Sequence, residues 1–317
     1  MSGILGIDTS NYTTSAALYD IKSGELIQKK QLLPVKDGEL GLRQSDAVFH
    51  HTRQLPMIIE NLFKCYDGTI TAVAASERPS QMEGSYMPCF LAGMGAARQL
   101  AAVLGIPIYS YTHQQGHVAA AAFGANRPEL LKQEFLAFHV SGGTTDVLLV
   151  RPDDSSVITC KRVAGSMDLK AGQLIDRVGL MLGLQFPAGP KLEELAVKST
   201  ERHHQRAVLK DGWCSLSGIE NKCLKLHNQG TPAADVAMFC ILSILSALEG
   251  MTEKLLSDYP DLPVLYSGGV MSNKIMRSIL ENRFGGLFSP QEFSSDNAAG
   301  IAFLASMQTE RSSEKCG

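Results

Sequence analysis

The chain alternates short apolar runs with polar turns, which predicts closely spaced strands and helices. Residues 3–8 have the composition of a buried strand, and apolar residues resume after the small polar segment Thr9–Thr13. The protein is therefore predicted to open with a β-meander. Up to residue 111, the pattern predicts strands at 3–8, 15–19, 26–33, 70–75 and 106–111, and helices at 50–63 and 89–104.

The opening pattern returns in the middle of the chain. Residues 7–18 align without a gap with residues 138–149, so that Thr13 and Thr14 fall on Thr144 and Thr145, 131 positions later. A repeat at this distance favours two similar domains. Two unrelated β-hairpins are the alternative interpretation, because the Ser-x-x-Thr-Thr match is short. We predict an α/β protein with a first lobe at 1–130, completed by a C-terminal helix at 297–317, and a second lobe at 131–296.

Further periodic segments follow the second meander. A long apolar helix is predicted at 232–256, with Pro232 in its first turn. The polar tail from Thr309 is expected to fray. The other elements predicted here are helices at 170–182, shortly after residue 190, at 274–283 and at 297–308, and a strand at 262–267.

Composition narrows the class of protein. The 317 residues are 44% hydrophobic and 19% charged, which excludes a disordered chain or a coiled coil. The apolar stretches are short or broken by polar residues, so no membrane span is predicted. Seven scattered cysteines without a C-x-x-C pair indicate reduced thiols and a cytoplasmic location.

The charge balance gives no general attraction to nucleic acid. The net charge is −3, so binding to nucleic acid requires a local basic patch. Arg202, Arg206 and Lys210 form one candidate patch. A solvated polar face is the alternative.

Two glycine-hydroxyl turns follow predicted strands, at Ser141–Asp146 and at Ser267–Asn273. Glycine allows close approach of a phosphate to backbone N–H groups, and hydroxyls add donors. Ordinary hairpins also need glycine, but two such turns favour a nucleotide site. The G-x-x-x-x-G-K-[ST] motif is absent, which excludes a P-loop.

Two histidines four residues apart begin a predicted helix. His113 and His117 therefore lie on one helix face, a spacing that suits two ligands of one transition metal. Capping or surface histidines are the alternative. A third ligand would be a carboxylate from elsewhere; Asp296 is a candidate that spacing cannot select.

Aspartates near the glycine turns are further candidates. Asp176, on a helix face shared with two glycines, has the reach to bind a sugar hydroxyl, and a solvated aspartate is the alternative. We take Asp8, Ser10 and Thr13, in and beside the first turn, as candidate catalytic residues. A kinase or ATPase would instead use Asp8 or Asp146 as its catalytic carboxylate, and would give the histidine pair no role.

In this order, the motifs resemble the TsaD family of tRNA threonylcarbamoyladenosine transferases, formerly described as O-sialoglycoprotein endopeptidases. The resemblance spans nearly the whole chain. It implies a duplicated actin-like ATPase fold of the ribonuclease H-like class, with two lobes and a nucleotide cleft. The matching segments are Ile4–Ser10, His113–His117, Val140–Gly143, Gly172–Asp176, Phe186–Pro190, Cys214–Gly218, Tyr266–Asn273 and Ser295–Asn297.

The resemblance also implies roles for individual residues. It implies one divalent metal, iron or zinc, held by His113, His117 and Asp296. It implies binding of an ATP- or AMP-type nucleotide or of threonylcarbamoyl-AMP. The second glycine turn adds two further candidate residues for this binding, Gly268 and Gly269. The nucleotide candidates are Val140, Ser141, Gly142, Gly143, Thr144, Asp176, Gly189, Gly268, Gly269 and Asn273.

The implied activity is transfer of a threonylcarbamoyl group from threonylcarbamoyl-AMP to N6 of adenosine 37 in tRNA. The implied partners are tRNA, a TsaB-like homologous subunit and a TsaE-like ATPase; a homodimer is the alternative assembly, and no membrane is involved. The chain departs from the family where Tyr12 and Thr13 replace two expected acidic residues. A divergent paralogue with another carbamoyl acceptor, and a nucleotide-binding subunit without catalysis, therefore stay open.

Overall fold

The computed structural model describes residues 2–34, 42–293 and 298–314. The chain divides into two compact units. Unit 1 comprises residues 1–133, 151–160 and 295–317, and unit 2 comprises residues 134–150 and 161–294. The C-terminal segment therefore belongs to the same unit as the N-terminal meander.

Unit 1 is built on a five-stranded sheet with the strand order β3-β2-β1-β4-β5. The first three strands form an antiparallel meander, and β4 and β5 continue the sheet in parallel to β1. The described elements are β1 (Ser2–Ser10), β2 (Thr13–Asp20), β3 (Leu26–Leu32), α1 (Gln44–Phe63), β4 (Thr69–Arg78), α2 (Phe90–Leu104), β5 (Ile108–Thr112) and α3 (His113–Gly124), followed by a 3-10 helix at Pro128–Lys132.

The sheet of unit 2 repeats this order and adds two short strands at one edge, giving β12-β11-β6-β7-β8-β10-β9. The elements that follow α3 are β6 (Phe135–Val140), β7 (Thr145–Asp153), β8 (Val157–Ser166), α4 (Ala171–Met181), α5 (Gly189–Ala196), β9 (Leu209–Lys210), β10 (Trp213–Cys214), α6 (Ser217–Asn228), α7 (Ala233–Asp258), β11 (Val264–Ser267), α8 (Lys274–Phe284), β12 (Leu287–Phe288) and α9 (Ala298–Glu314), with 3-10 turns at Gly269–Ser272 and Gln291–Phe293.

The internal repeat is confirmed by the register of the two meanders. Thr9 pairs with Thr14 in the first, and Val140 pairs with Thr145 in the second, again 131 positions later. The strand order is also the same in both sheets. The third, second and first strands of the meander are followed by the two strands that run parallel to the first. The two hairpins are therefore equivalent parts of a duplicated fold.

The long apolar stretch near the C-terminal end of unit 2 forms the helix α7. By length and composition alone this helix is long enough to cross a membrane, and two thirds of its most apolar window is buried inside the protein. Its side chains belong to the core of unit 2, together with residues of β6, β7 and α4. Burial among these elements is a sufficient physical reason for its apolar composition.

The last helix continues beyond the periodic segment predicted at 297–308. The polar tail from Thr309 was expected to fray, but α9 continues to Glu314. Two polar side chains of this last part are held by backbone carbonyls of the β7–β8 turn: Gln308 donates to Asp154 O at 3.3 Å and Arg311 donates to Asp153 O at 2.8 Å. These tertiary hydrogen bonds, which the local pattern does not contain, extend the helix.

Candidate functional site

The C-terminal part of β1 places Asp8 against His113, the first of the two histidines. Asp8 lies near the end of β1 and is 1% exposed. Its Oδ1 atom accepts a hydrogen bond from the Ser76 hydroxyl at 2.5 Å and lies 3.0 Å from His113 Nδ1. The strand pair β1–β4 brings Ser76 beside Asp8, and the turn from β5 into α3 supplies His113.

The surroundings of Asp8 favour its ionised form. Burial raises the pKa of its carboxyl, but the electrostatic interaction with His113 and hydrogen bonds from His113, Ser76 and Ser10 outweigh burial and hold the pKa below its usual range. No group in the described part of the chain meets Oδ2 of Asp8 with hydrogen-bond geometry, although this atom is buried. Asp8 thus combines one bonded and one unbonded carboxylate oxygen.

His113 and His117 lie together on α3, with ring centroids 4.6 Å apart. The helix is capped by Thr112, whose hydroxyl accepts from Gln115 N, so its first turn is well defined. The predicted third ligand, Asp296, lies outside the described residues. Within the described ranges there is no cluster of three or more potential metal-binding side chains.

Ser10 and Thr13 flank the two-residue turn that joins β1 and β2, where they are paired across the hairpin. Both side chains are half-buried. Tyr12, which stands where the family has an acidic residue, is 46% exposed. The predicted polar segment Thr9–Thr13 is therefore mostly strand, with a turn of only two residues.

A buried hydrogen-bond chain supports this hairpin from α1. Gln54 donates to Leu32 O, and its Oε1 accepts from the Thr14 hydroxyl at 2.7 Å. Because that hydroxyl has one proton, its oxygen accepts from His51 Nδ1 at 2.8 Å, which leaves the lone pair of His51 on Nε2. His51 is fully buried, and burial lowers its pKa to about 4.

In unit 2, the equivalent threonine positions a different helix. Thr145 Oγ1 accepts from Ala171 N at 2.9 Å, in the first turn of α4. This contact brings Gly172 onto the glycine turn: a Cβ atom at Gly172 would lie 2.6 Å from Gly142 N, and Gly172 N donates to Ser141 O at 3.2 Å. Only glycine permits this approach without displacing the turn.

The second glycine turn approaches the first in the same way. Gly268 has a φ of +99°, and a Cβ atom there would fall 2.2 Å from Val140 O. Val140 itself is fully buried in the core. Ser141 and Thr144 close the first turn on each other, since Ser141 N donates to Thr144 O at 2.7 Å. Gly142 and Gly143 are left exposed at its tip.

Five of the predicted nucleotide residues line one cavity of unit 2. This cavity has a volume of about 390 Å³, within the range of small-molecule sites. It lies beside both glycine turns and the start of α5. The five predicted residues in its lining are Gly142, Asp176, Gly189, Gly269 and Asn273.

The polar groups of this cavity include two carboxylates. Asp176 Oδ1 accepts from Ala188 N at 2.9 Å. Glu193 Oε1 accepts from Lys274 N at 2.6 Å, at the N-terminus of α8, where Asn273 is the cap. The start of α8 is thus already occupied by an acidic side chain, so the exposed glycines of the turns, Gly142, Gly143 and Gly269, are better placed than α8 to bind an anion.

The carboxylates required by the kinase interpretation are both engaged. Asp8 bonds Ser76 and His113, and Asp146 forms an ion pair with Arg162 at 2.6 Å. Arg162 in turn stacks on Trp213, with 4.6 Å between the guanidinium carbon and the ring centroid. Burial raises the pKa of Asp146 above its usual value despite the charges of Arg162 and Lys170. Both aspartates therefore serve to hold neighbouring side chains.

Two residues of the predicted basic patch, Arg202 and Arg206, lie in the irregular segment of unit 2 between α5 and β9, and Lys210 is the second residue of β9. Arg202, Arg206 and Lys210 are exposed. The backbone of this segment is fixed to α7, because Gln205 N donates to the Ser243 hydroxyl at 3.0 Å. The exposed cations are thus carried on an anchored backbone.

Solved structures of other proteins share this architecture. Component A of (R)-2-hydroxyglutaryl-CoA dehydratase from Acidaminococcus fermentans matches with a TM-score of 0.55 at 17% identity, covering 98% of this chain and 100% of that one. HypF from T. kodakarensis matches with a TM-score of 0.63 at 14% identity, covering 98% of this chain and 48% of that one. The fold is the duplicated actin-like ATPase fold predicted from the sequence.

Sequence comparison is more specific than the fold. The sequence model of TsaD, described as tRNA N6-adenosine threonylcarbamoyltransferase, matches residues 37–303. A relative of that name from Archaeoglobus fulgidus is 30% identical over 308 residues, which cover 94% of this chain and 89% of the relative. The chain belongs to the TsaD family.

Three residues of the site were missed by the sequence predictions. Ser76 directly follows the predicted strand at 70–75, His51 lies in the predicted helix at 50–63, and neither belongs to a local chemical motif. Thr145 was seen only as part of the repeat. The signal that could have identified Thr145 was its alignment with Thr14 in the internal repeat. Equivalent buried hydroxyls in a duplicated fold are candidates for equivalent roles.

Proposed function

We propose that this protein transfers a threonylcarbamoyl group from threonylcarbamoyl-AMP to N6 of adenosine 37 in tRNA. The observation that carries this proposal is the cavity of unit 2, in which five predicted nucleotide residues from distant parts of the chain meet. Family membership supplies the reaction class, acyl transfer to a tRNA base.

The donor nucleotide is assigned to this cavity by its chemistry. Asp176 accepts a hydrogen bond from a ribose hydroxyl, and Gly189 allows the sugar close to the start of α5. The N–H groups of Gly142, Gly143 and Gly269 bind the phosphate and stabilise the charge that AMP carries away. The N6 amine attacks the carbamoyl carbon, the bond from that carbon to the phosphate oxygen breaks, and AMP leaves with the electron pair of that bond. The amine loses one proton to water.

His113 and His117, with Asp296, would hold the divalent metal, iron or zinc. The two imidazoles and the buried, unbonded Oδ2 of Asp8 beside them fit a cation of this kind. When bound, such a metal supplies Lewis-acid polarisation of an acyl or phosphoryl oxygen. The role of the chain's own residues is to fix the two imidazoles at the start of α3.

The acceptor and the partners follow from the family and from surface features. The exposed Arg202, Arg206 and Lys210 are candidates to bind tRNA phosphates. An apolar groove of about 720 Å³ between α1 and α2 is proposed to bind a helix of a TsaB-like subunit, and a TsaE-like ATPase completes the system. The six cysteines of the described ranges are free thiols, which supports a cytoplasmic location.

The test is formation of threonylcarbamoyladenosine in a tRNA transcript by the purified chain, its partner subunits and threonylcarbamoyl-AMP. We expect product with the wild type and at least a tenfold loss with Asp176→Asn. Asp154→Asn, in an exposed β-turn, is the matched control and should retain the wild-type rate. Nucleotide binding without product would reject the transferase assignment in favour of a non-catalytic nucleotide-binding subunit.

A further inference from the structure

The carboxylate of Asp8 is committed to the first histidine of the metal-binding pair. It reaches His113 Nδ1 at 3.0 Å from a residue 105 positions away, and it is almost fully buried. The Ser76 hydroxyl donates to the same oxygen at 2.5 Å, which fixes the direction of the carboxylate. The contact between Asp8 and His113 is therefore fixed by the strands β1 and β4 and by the start of α3.

This contact determines which nitrogen of His113 carries the proton. The Oδ1 atom of Asp8 already accepts from the Ser76 hydroxyl, so in its contact with His113 the proton belongs to Nδ1. In the neutral imidazole the lone pair then lies on Nε2. A neutral imidazole binds a transition metal through the nitrogen that bears the lone pair, and a carboxylate on the other nitrogen fixes both the tautomer and the ring orientation.

We infer that Asp8 is a positioning residue for cation binding: it holds His113 in the tautomer whose Nε2 atom binds a divalent metal. This inference rests on the metal-binding part of the proposed function and replaces the prediction that Asp8 acts on the substrate. Asp8 lies in β1, just before the turn at which Tyr12 and Thr13 replace expected acidic residues, so it is the acidic group that the segment from Asp8 to Thr14 retains.

The test is zinc affinity, measured by chelator competition on the full-length protein, for three variants. Asp8→Ala removes the acceptor, and we expect the Kd for zinc to rise roughly 10–100-fold. Asp8→Asn keeps the shape without the charge, and an intermediate rise is expected. The matched control is Asp20→Ala, which removes another buried carboxylate of unit 1 that bonds Tyr66, and its Kd should stay within about twofold of wild type.

A second measurement separates positioning from loss of structure. Nitrogen-15 spectra of the metal-free protein are expected to show His113 protonated on Nδ1 in the wild type and mixed tautomers in Asp8→Ala, with Asp20→Ala like wild type. A His113 protonated on Nε2 in the wild type would overturn the inference. So would Asp8→Ala with unchanged zinc affinity, or a wild type that does not bind zinc.

The transferase assay gives an independent readout. If the zinc affinities and tautomers change as expected and no modified tRNA forms, the role of Asp8 stands and the proposed reaction fails. If modified tRNA forms and Asp8→Ala binds zinc like the control, the reaction stands and the role of Asp8 is rejected.

Discussion

At the scale of single residues, the two equivalent threonines show how one sequence position is used twice. Thr14 and Thr145 occupy the same place in the repeat, and both are buried. Thr14 binds side chains of α1, whereas Thr145 accepts from the backbone of α4. The shared hydroxyl therefore fixes the first helix that follows the meander in each unit, through different partners.

The role of Thr145 predicts a loss of stability on its replacement. Thr145→Val keeps the shape but leaves Ala171 N buried without its acceptor, so unit 2 should lose about 1–3 kcal/mol of stability. Urea unfolding followed by circular dichroism measures this effect. Thr144→Val, at the half-buried neighbour whose side chain does not cap α4, is the control, and an equal loss in both variants would contradict the assignment.

His51 predicts a pH dependence of stability. Its folded pKa is about 4, below the ordinary value of 6.5, so between these pH values the unfolded chain binds a proton that the folded chain does not. Stability contributed by His51 is therefore full above pH 6.5 and is lost as the pH falls towards 4. The lowered pKa of Asp8 acts only below this window.

The measurement is the urea midpoint at pH 7 and pH 4.5. The decrease between these values should be smaller in His51→Gln than in wild type, since glutamine does not titrate. His203→Gln, at an exposed histidine, should keep the wild-type decrease. An unchanged decrease in His51→Gln would mean that the proton is bound elsewhere.

At the scale of elements, α1 and α2 present an unusual apolar face. The groove between them includes Leu91, which is 57% exposed, and Val103, which is 85% exposed. Exposed apolar side chains grouped in one groove are typical of interaction surfaces. The apolar pattern of both helices was visible in the sequence, but which part of it packs on the sheet was not.

The groove predicts the effect of added charge. The double variant Leu91→Glu, Val103→Glu should abolish assembly with a TsaB-like subunit, measured by sedimentation velocity, because two buried carboxylates without partners would oppose binding. AMP binding, which depends on unit 2, should stay within about twofold of wild type. Leu180→Glu, at an exposed leucine of unit 2, is the control, and assembly by the double variant would exclude the groove as the interface.

At the scale of the whole molecule, the net charge of −3 limits how tRNA can bind. Attraction must come from a local group of cations, and Arg202, Arg206 and Lys210 are exposed on one anchored segment. Each phosphate contact adds roughly one unit to the salt dependence of the binding constant. The number of contacts is therefore measurable.

Replacing all three cations by alanine should weaken tRNA binding and reduce the slope of log K against log salt by about three. A filter-binding titration at several salt concentrations gives this slope. Replacing the exposed Lys64, Lys132 and Lys225 by alanine changes the net charge equally and is the control. An equal change of slope in both variants would show that the segment has no special role.

Local pattern was sufficient for most of the architecture. The strands of the first meander, most of the helices and the repeat were predictable because alternation, periodicity and glycine turns are local properties of the chain. The helix α6 and the first turns of α1 were not predicted. The end of α9 was not, since Gln308 and Arg311 are held by carbonyls of a distant turn. The glycine turns and Asp176 were candidates from the residues themselves, but their meeting with Gly189 and Asn273 was available only through the family motifs, because no spacing rule relates Asp176 to Asn273.

The sequence by itself determined the duplicated fold, the family and the identity of the chemical groups, because these follow from residue order and type. The tertiary structure decided how those groups are used. It joined Asp8 to His113 across 105 residues, occupied Asp146 with Arg162, and placed Gly172 on the backbone of Gly142. Hydrogen bonds and close backbone contacts depend on the distances between residues that are far apart in the sequence, and the order of residues alone does not give these distances.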